Sequence, residues 1–191
     1  MSLGDIKRLL FENFDIRYVI RGIIDGSLSS LGVIIGASGG DTSLIITAGV
    51  GGGVANGISN ILGALTAERA IVESVRMSQE KALLKEEGYL KSSLAYREAL
   101  NRTTISGIWD GLSTTFGSII PITPFFLFPK EVAIFLAVVI TTLILFILGV
   151  YIGRISRENI VLSGFKMAVT GLLVALISFA IEGMLQWKYE K

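Results

Sequence analysis

Long apolar runs separated by short polar segments are the main feature of this sequence. No Asp, Glu, Lys or Arg lies between Ser43 and Thr66, or between Val132 and Ile152. Each run is long enough for an α-helix to cross a bilayer core, which takes roughly 20 residues. Three more apolar segments of similar length contain one or two charges each: residues 18–38, 103–121 and 163–185. The pattern predicts an all-α polytopic membrane bundle of five transmembrane helices.

The polar segments predict how the rest of the chain is arranged. In residues 1–17, apolar side chains recur at helical spacing among charges, which is typical of an amphipathic helix at the membrane interface: Leu3, Ile6, Leu10 and Phe14. Residues 67–102 are densely charged, and we call them the arm. We expect the arm to continue the second span as a short helix outside the membrane. The expected segments are 1–17, 18–66 with two spans, 67–102, and 103–187 with three spans.

The distribution of basic residues predicts the orientation of the chain. Lys and Arg cluster before the first span, in the arm and after the fourth span, whereas the loops on the other side contain only Lys130. By the positive-inside rule, the N-terminus and the arm are cytoplasmic and the C-terminus lies outside. The hydrophobic content of 51% agrees with an integral membrane protein. We expect its location to be a prokaryotic cell membrane.

Composition narrows the possible chemistry. The chain has no histidine and no cysteine, so Ser-His-Asp and Cys-His catalytic sets are excluded, as are disulfides. It has no phosphate-binding loop of the Gly-x-x-x-x-Gly-Lys-Ser/Thr type. The net charge of +1 does not suggest a nucleic-acid partner. We therefore expect a protein that is not an enzyme, uses no organic cofactor and has the lipid bilayer as its surroundings.

An internal repeat relates the two halves of the bundle. Residues 22–26, Gly-Ile-Ile-Asp-Gly, recur as residues 107–111, Gly-Ile-Trp-Asp-Gly, and residues 29–32 match 114–117. Two crossings separate the copies, so both run in the same direction through the membrane. Parallel repeats of this kind place an ion site at their interface, near the membrane midplane.

Asp25 and Asp110 are the two aspartates of this repeat. A carboxylate within a span costs about 2.5–3.5 kcal/mol on insertion scales, so it usually faces an ion, a cavity or a partner. We therefore assign both to an ion pathway, with Asp25 also as a metal ligand. The alternative is that they only form ion pairs with Arg21 or Arg102.

The second span contains polar and small residues. Asn56, Ser59 and Asn60 lie in mid-span, where they are further candidates for the ion pathway or can form hydrogen bonds between helices. A row of glycines every fourth residue predicts close helix packing, either within the bundle or in a dimer: Gly49, Gly53 and Gly57.

The arm offers a second candidate metal site. Glu73, Met77 and Glu80 share one helical face, and Glu87 follows one heptad later. Carboxylates with a thioether suit a borderline divalent ion such as Fe²⁺ or Mn²⁺. The alternative is a solvated helix face, since basic residues alternate with these glutamates.

Several of these features together resemble the vacuolar iron transporter family. They are the Gly-x-x-Asp-Gly element around Asp25, the glycine-rich second span, the arm directly after it, and five spans with an outside C-terminus. Residues 116–124 and 164–171 are similar to the family's third-span and last-span motifs. The resemblance covers roughly residues 18–185, and the Asp-Gly element is its most specific part.

This resemblance implies a homodimer that exports Fe²⁺ or Mn²⁺ from the cytosol in exchange for protons, with the first spans lining the ion path. Asp25 matches the family's carboxylate within the membrane, and the arm glutamates correspond to its cytoplasmic metal-binding region. The second span departs from the family, because Ser-Met-x-x-Gly-Glu is replaced by residues 59–64, Ser-Asn-Ile-Leu-Gly-Ala. Asn60 would then offer an amide oxygen instead of a thioether, with Glu68 one turn beyond the missing glutamate. That change favours a harder ion, such as Mn²⁺, Mg²⁺ or Ca²⁺.

The sequence thus predicts a proton-coupled divalent metal ion transporter, with the metal as substrate. Two other interpretations stay open. One is a non-transporting membrane scaffold or regulator, in which the aspartates only pair with arginines. The other is a transporter of a different small solute.

Overall fold

The structure, a computed structural model, describes the backbone of residues 15–189 and the side chains of residues 15–187. The expected interfacial helix therefore lies almost wholly outside the described residues; Ile16 and Arg17, at its end, belong to the first helix of the bundle. The described part is helical and contains no β-strand. The prediction of an all-α bundle is confirmed for this part of the chain.

Five long helices and one shorter helix follow one another along the chain. The first two are α1, Ile16–Gly36, and α2, Thr42–Gly63. A π-helical turn, Ala64–Glu68, joins α2 directly to α3, Arg69–Ala82. A 3₁₀ turn, Tyr89–Ser92, precedes α4, Leu94–Ile119, and another, Ile120–Phe126, follows it. The last two helices are α5, Lys130–Ile155, and α6, Ile160–Tyr189.

The local sequence explains where these helices begin and end. Asp41 caps α2, since its carboxylate accepts a hydrogen bond of 2.7 Å from the backbone N–H of Leu44. The helix formed by α2 and α3 ends at Ala82, and shortly after it Leu84 takes a positive φ of 53°. Helix α4 begins at Leu94, so the last turns of the arm belong to it.

The two repeat helices pack side by side in the same direction. Gly22 of α1 lies against Asp110 of α4, and Gly26 lies one turn further along both helices, against Thr114 and Ser118. A Cβ atom on Gly26 would lie 2.0 Å from the backbone oxygen of Thr114. Only glycine allows the two backbones to approach this closely. The parallel arrangement agrees with the repeat seen in the sequence.

Helix α2 packs against α4 and runs antiparallel to it. Gly53 lies against Ser118, and Gly57 lies against Thr115 and the backbone oxygen of Gly111. Helix α4 therefore lies between α1 and α2 and leaves Leu112, Phe116 and Ile119 exposed, while α5 and α6 pair beside them. The apolar core lies toward the end of the bundle opposite the arm and includes Leu31, Ile34, Ile35, Ile45, Ile122 and Phe125.

Four helices of the described chain are long and apolar enough to cross a membrane: α1, the helix that begins at Thr42, α5 and α6. Helix α4 does not reach that hydropathy. Where α1 and α2 cover it, its buried positions other than Ile105 are polar or small, and they include Thr103, Ser106, Asp110, Thr114 and Ser118. The count of five spans therefore stays a prediction.

Candidate functional site

Asp25 lies in α1 about 14 Å along the axis from the first residue of the helix, near the middle of the span. Its Oδ2 accepts hydrogen bonds from the Nδ2 groups of Asn56, at 3.1 Å, and Asn60, at 2.8 Å. Both asparagines belong to α2 and also bind hydroxyl groups. Asn56 donates to Ser29 Oγ at 2.9 Å, and Asn60 donates to Thr114 Oγ1 at 2.8 Å. We call these five residues the Asp25 cluster; it joins α1, α2 and α4.

The Asp25 cluster opens onto the outside of the single chain. Ser29 is exposed, and Asp25, Asn56 and Asn60 are only partly buried, whereas Thr114 is fully buried. Ser59, the remaining polar candidate of this span, is also exposed and lies beside the cluster on α2. Polar groups that face hydrocarbon at this depth are costly. The cluster therefore requires a polar partner, an ion or a second protein surface at its open side.

The chemistry of the Asp25 cluster is that of oxygen and amide groups. Two amide N–H groups are directed at one carboxylate oxygen of Asp25, which suits a charged carboxylate. If either amide turns over, it presents its oxygen to the same position. A carboxylate with amide and hydroxyl oxygens is the ligand set that hard cations prefer.

Asp110 faces a different partner. Its carboxylate is fully buried and receives a two-pronged ion pair from Arg21 of α1, through Nε at 3.2 Å and through Nη2. A further guanidinium nitrogen of Arg21 lies 3.9 Å from Glu68 Oε1, on the π-helical turn. Asp110 thus forms the ion pair with an arginine that the sequence offered as an alternative, and this arginine is Arg21. Arg102 pairs with Asp15 instead, at 3.5 Å.

A cavity of about 640 Å³ lies beside Asp25 and Arg21, on the side of the bundle that carries the arm. Asp25 and Asn60 line its inner part, and Arg21 and Arg17 line the part nearer the arm. The remaining wall is mostly apolar and comes from α1 and the end of α5: Ile20, Ile24, Leu28, Ile152, Ile155 and Ser156. The cavity gives Asp25 an approach from the arm side.

Helix α2 has two faces of small residues. Gly49, Gly53 and Gly57, which the sequence assigned to packing, are buried against the chain's own residues Ile122, Ser118 and Thr115. The second face is exposed beside the Asp25 cluster and consists of Gly52, Ala55, Ser59 and Gly63. We call it the small-residue face of α2. A second copy could reach only this face, since the first is already covered.

In the arm, the glutamates surround an arginine. Arg76 is buried and forms ion pairs with Glu73 and, at 2.5 Å, with Glu80. Glu73 also accepts a hydrogen bond of 2.8 Å from the Tyr96 hydroxyl of α4. Arg76 and then Tyr96 lower the pKa of Glu73 to about 2. Both carboxylates are thus occupied by partners from the chain itself.

Glu80 also holds the turn after α3. Its carboxylate accepts hydrogen bonds from the backbone N–H groups of Gly88, at 3.0 Å, and Leu90, at 2.7 Å. Burial raises the pKa of Glu80, but the bonds from Leu90, Gly88 and Arg76 outweigh it, so the pKa is lowered. Met77 and Glu87 lie nearby and are exposed. Among the described residues, no three Asp or Glu side chains come together as a metal site would need.

This geometry predicts that Glu80 fixes the turn of the arm. Glu80→Ala should raise the hydrogen-exchange rates of the Gly88 and Leu90 amides by roughly tenfold or more, because both lose their acceptor. Glu87→Ala is the matched control, since Glu87 lies on the same surface and should leave these rates unchanged. Equal rates in the wild type and Glu80→Ala would contradict this role.

Thr114 and Ser29 of the Asp25 cluster were not assigned from the sequence, and Arg21 was named only as one of two possible partners of the aspartates. Thr114 bridges Asn60 to α4, and Arg21 pairs with Asp110. The repeat contained a signal for the first, because it aligns Thr114 with Ser29, and both hydroxyls bind the asparagines of α2. The pairing partner of Asp110 depends on the register between α1 and α4, which the sequence does not reveal.

Comparisons with a family model and with individual proteins show which proteins this chain is similar to. The model of the VIT family matches residues 66–182, more than half of the chain, and the match begins after most of the Asp25 cluster. An uncharacterised protein of Methanocaldococcus jannaschii is 58% identical over 182 residues, which are 95% of each chain. Vacuolar iron transporter 1 of Tulipa gesneriana is 22% identical over 215 aligned positions, covering 90% of this chain and 87% of that one.

These matches confirm the family resemblance read from the sequence. They agree with the four apolar helices of the described chain, which are long enough to cross a membrane. The chain is an integral membrane protein and belongs to the VIT family.

Proposed function

We propose that this protein is a homodimeric transporter that exports a divalent metal ion from the cytosol in exchange for protons. The observation that carries the proposal is the Asp25 cluster, a carboxylate with amide and hydroxyl groups in mid-span. Membership of the VIT family and the similarity to a plant protein named as a vacuolar iron transporter support metal as the substrate. The transported ion reaches Asp25 through the cavity on the arm side.

The open side of the Asp25 cluster supports a dimer. A second copy that packs on the small-residue face of α2 would bring two helices close together, since this face lacks bulky side chains. It would cover Ser29 and Ser59, and it would supply a second Asp25. Two carboxylates together balance the charge of one divalent cation.

The donor set suits a hard ion. The cluster contains no thioether, thiolate or imidazole among its five residues, and its oxygens come from carboxylate, amide and hydroxyl groups. We therefore place Mn²⁺ ahead of Fe²⁺ as the transported ion. Asp25 can hold either a proton or a share of the metal ion, which is what exchange requires. We orient the arm and N-terminus toward the cytosol, with five spans.

Flux measurements test the proposal. In proteoliposomes with an imposed pH gradient, uptake should be measured for Mn²⁺, Fe²⁺, Co²⁺, Zn²⁺ and Mg²⁺. We expect Mn²⁺ transport that depends on the gradient and exceeds that of Zn²⁺. No flux of any of these ions, together with no thermal stabilisation of the purified protein by them, would favour a scaffold. The ion pair between Arg21 and Asp110 is the observation that agrees with a scaffold, the second candidate function.

Crosslinking tests the dimer separately. The chain has no cysteine, so single cysteines can be introduced without a background reaction. Ser59→Cys should form a disulfide between two copies in membranes, because the proposed interface brings the two α2 helices together. Leu143→Cys, which is exposed on α5, is the matched control and should stay monomeric on the gel. Equal crosslinking at both positions would contradict this interface.

A further inference from the structure

Arg21 and Asp25 lie on the same face of α1. They are four residues apart, a spacing that allows two oppositely charged side chains on a helix to pair. Both line the same cavity, and the Arg21 side chain is 57% exposed. The guanidinium therefore has room to move toward Asp25. In the structure, however, the two side chains do not form an ion pair.

Arg21 is instead held by groups nearer the arm. Its forked ion pair with Asp110 is the strongest contact, because Asp110 is fully buried and both of its carboxylate oxygens are engaged. Glu68 is 3.9 Å away, and the Tyr18 ring lies 5.0 Å below the guanidinium carbon. Arg21 thus lies near three carboxylates, those of Asp110, Glu68 and Asp25, and it donates its hydrogen bonds to Asp110.

Asp25 has neutral partners. Among the described residues, no Lys or Arg nitrogen lies within 4.0 Å of its carboxylate, whose side-chain partners are the amides of Asn56 and Asn60. Asn60 also binds Thr114 Oγ1, which donates at 2.9 Å to the backbone oxygen of Asp110. A chain of hydrogen bonds therefore links the Asp25 cluster to the residue that holds Arg21.

We propose that Arg21 is an internal counter-ion that alternates between Asp110 and Asp25, and that Asp110 holds it away from Asp25 when a metal ion binds there. Arg21 and Asp110 are then positioning residues rather than ligands. The inference rests on the proposed function, because it requires a cation site at Asp25.

Competition between the guanidinium and the metal ion has a measurable consequence. When Arg21 occupies Asp25, the metal site is closed, so the apparent affinity falls in proportion to the open fraction. Removing the charge of Asp110 should shift Arg21 to Asp25. Removing Arg21 as well should reopen the site.

Calorimetric titration of the purified full-length protein with Mn²⁺ tests this. Asp110→Asn should weaken Mn²⁺ binding by roughly tenfold, as expected when a competitor occupies about nine-tenths of the sites. The double variant Arg21→Gln/Asp110→Asn should return to within about threefold of the wild type. Asp110→Asn/Arg17→Gln is the control, since it removes a cavity arginine that lies two turns from Asp25, and it should stay weak.

The outcomes separate the possible roles of Asp110. Weak binding in both Asp110→Asn and the double variant would make Asp110 a ligand and overturn the inference. Wild-type binding in Asp110→Asn would overturn it as well, since the ion pair would then be only structural. Recovery in the Arg17 control would show a general charge effect and not a specific competitor. Absence of Mn²⁺ binding by the wild type would overturn the Mn²⁺ site at Asp25, on which the inference rests. Gel filtration and thermal unfolding check that each variant is folded.

Discussion

Replacing Asp25 with asparagine should abolish proton-coupled metal transport while the protein remains folded and dimeric. Asparagine keeps the size of the side chain and can still accept the hydrogen bonds from Asn56 and Asn60. It cannot carry a negative charge or exchange a proton. We expect a loss of transport of at least a hundredfold in proteoliposomes, about 2.7 kcal/mol or more at 1.36 kcal/mol per factor of ten.

Asp41→Asn is the matched control for this experiment. Asp41 caps α2 at the end of the bundle opposite the arm, and asparagine caps a helix as well as aspartate does. Transport by this variant should equal that of the wild type. If Asp25→Asn transported at the wild-type rate with unchanged pH dependence, Asp25 would not be the carrier, and the scaffold and other-solute interpretations would gain.

Gly26→Ala should destabilise the bundle strongly, because among the described glycines its added Cβ would come closest to the backbone of a neighbouring helix. An added Cβ would lie 2.0 Å from the backbone oxygen of Thr114 and 2.9 Å from the backbone nitrogen of Ser118. Because both atoms belong to the α4 backbone, α1 and α4 would have to separate. We expect a loss of about 3 kcal/mol or more, at the upper end of overpacking costs. The free energy of unfolding in detergent measures it.

Gly183→Ala provides the comparison. No atom lies within 4 Å of the position that its Cβ would take, and the residue is within α6. Alanine there should leave the stability unchanged or raise it slightly, because alanine favours a helix over glycine by roughly 1 kcal/mol. Similar losses for Gly26→Ala and Gly183→Ala would show that the contact between α1 and α4 does not limit stability.

The sequence predicted the positions of the long helices well because they follow from hydropathy. The charge-free run of residues 43–66 lies within α2 and the π-helical turn after it, and the run of residues 132–152 lies within α5. Hydropathy was less informative for α4. A helix that other helices enclose can have polar and small residues, since the lipid does not contact them.

The site was predictable only in part. Periodicity along α2 placed Asn56 and Asn60 on one face, and the repeat marked Asp25 and Asp110 as equivalent. Their environments nevertheless differ, because the register between α1 and α4 brings Arg21 next to Asp110. Asp25 instead accepts hydrogen bonds from the asparagines of α2. Such a register is set by glycine contacts across two helices, and one sequence does not reveal it.

In the arm, the alternating basic residues had suggested a charged helix face as the alternative to a metal site, but the pairing of Arg76 with the two glutamates was not predicted. Spacing placed Glu73 and Glu80 on one face and suggested a metal site. Arg76 lies three residues after the first and four before the second, which are the spacings of helical ion pairs. A metal ion at this place would have to displace a buried arginine. The role of the arm glutamates in metal binding stays a prediction.

Simultaneous recording of metal and proton movement shows whether Asp25 exchanges one ion for the other. Proteoliposomes containing a pH-sensitive dye should be supplied with Mn²⁺ in the absence of any imposed pH gradient. If Asp25 exchanges a proton for a metal ion, protons should move opposite to Mn²⁺ in the wild type, and both movements should disappear in Asp25→Asn. Mn²⁺ movement without proton movement, or proton movement that persists in Asp25→Asn, would contradict the account.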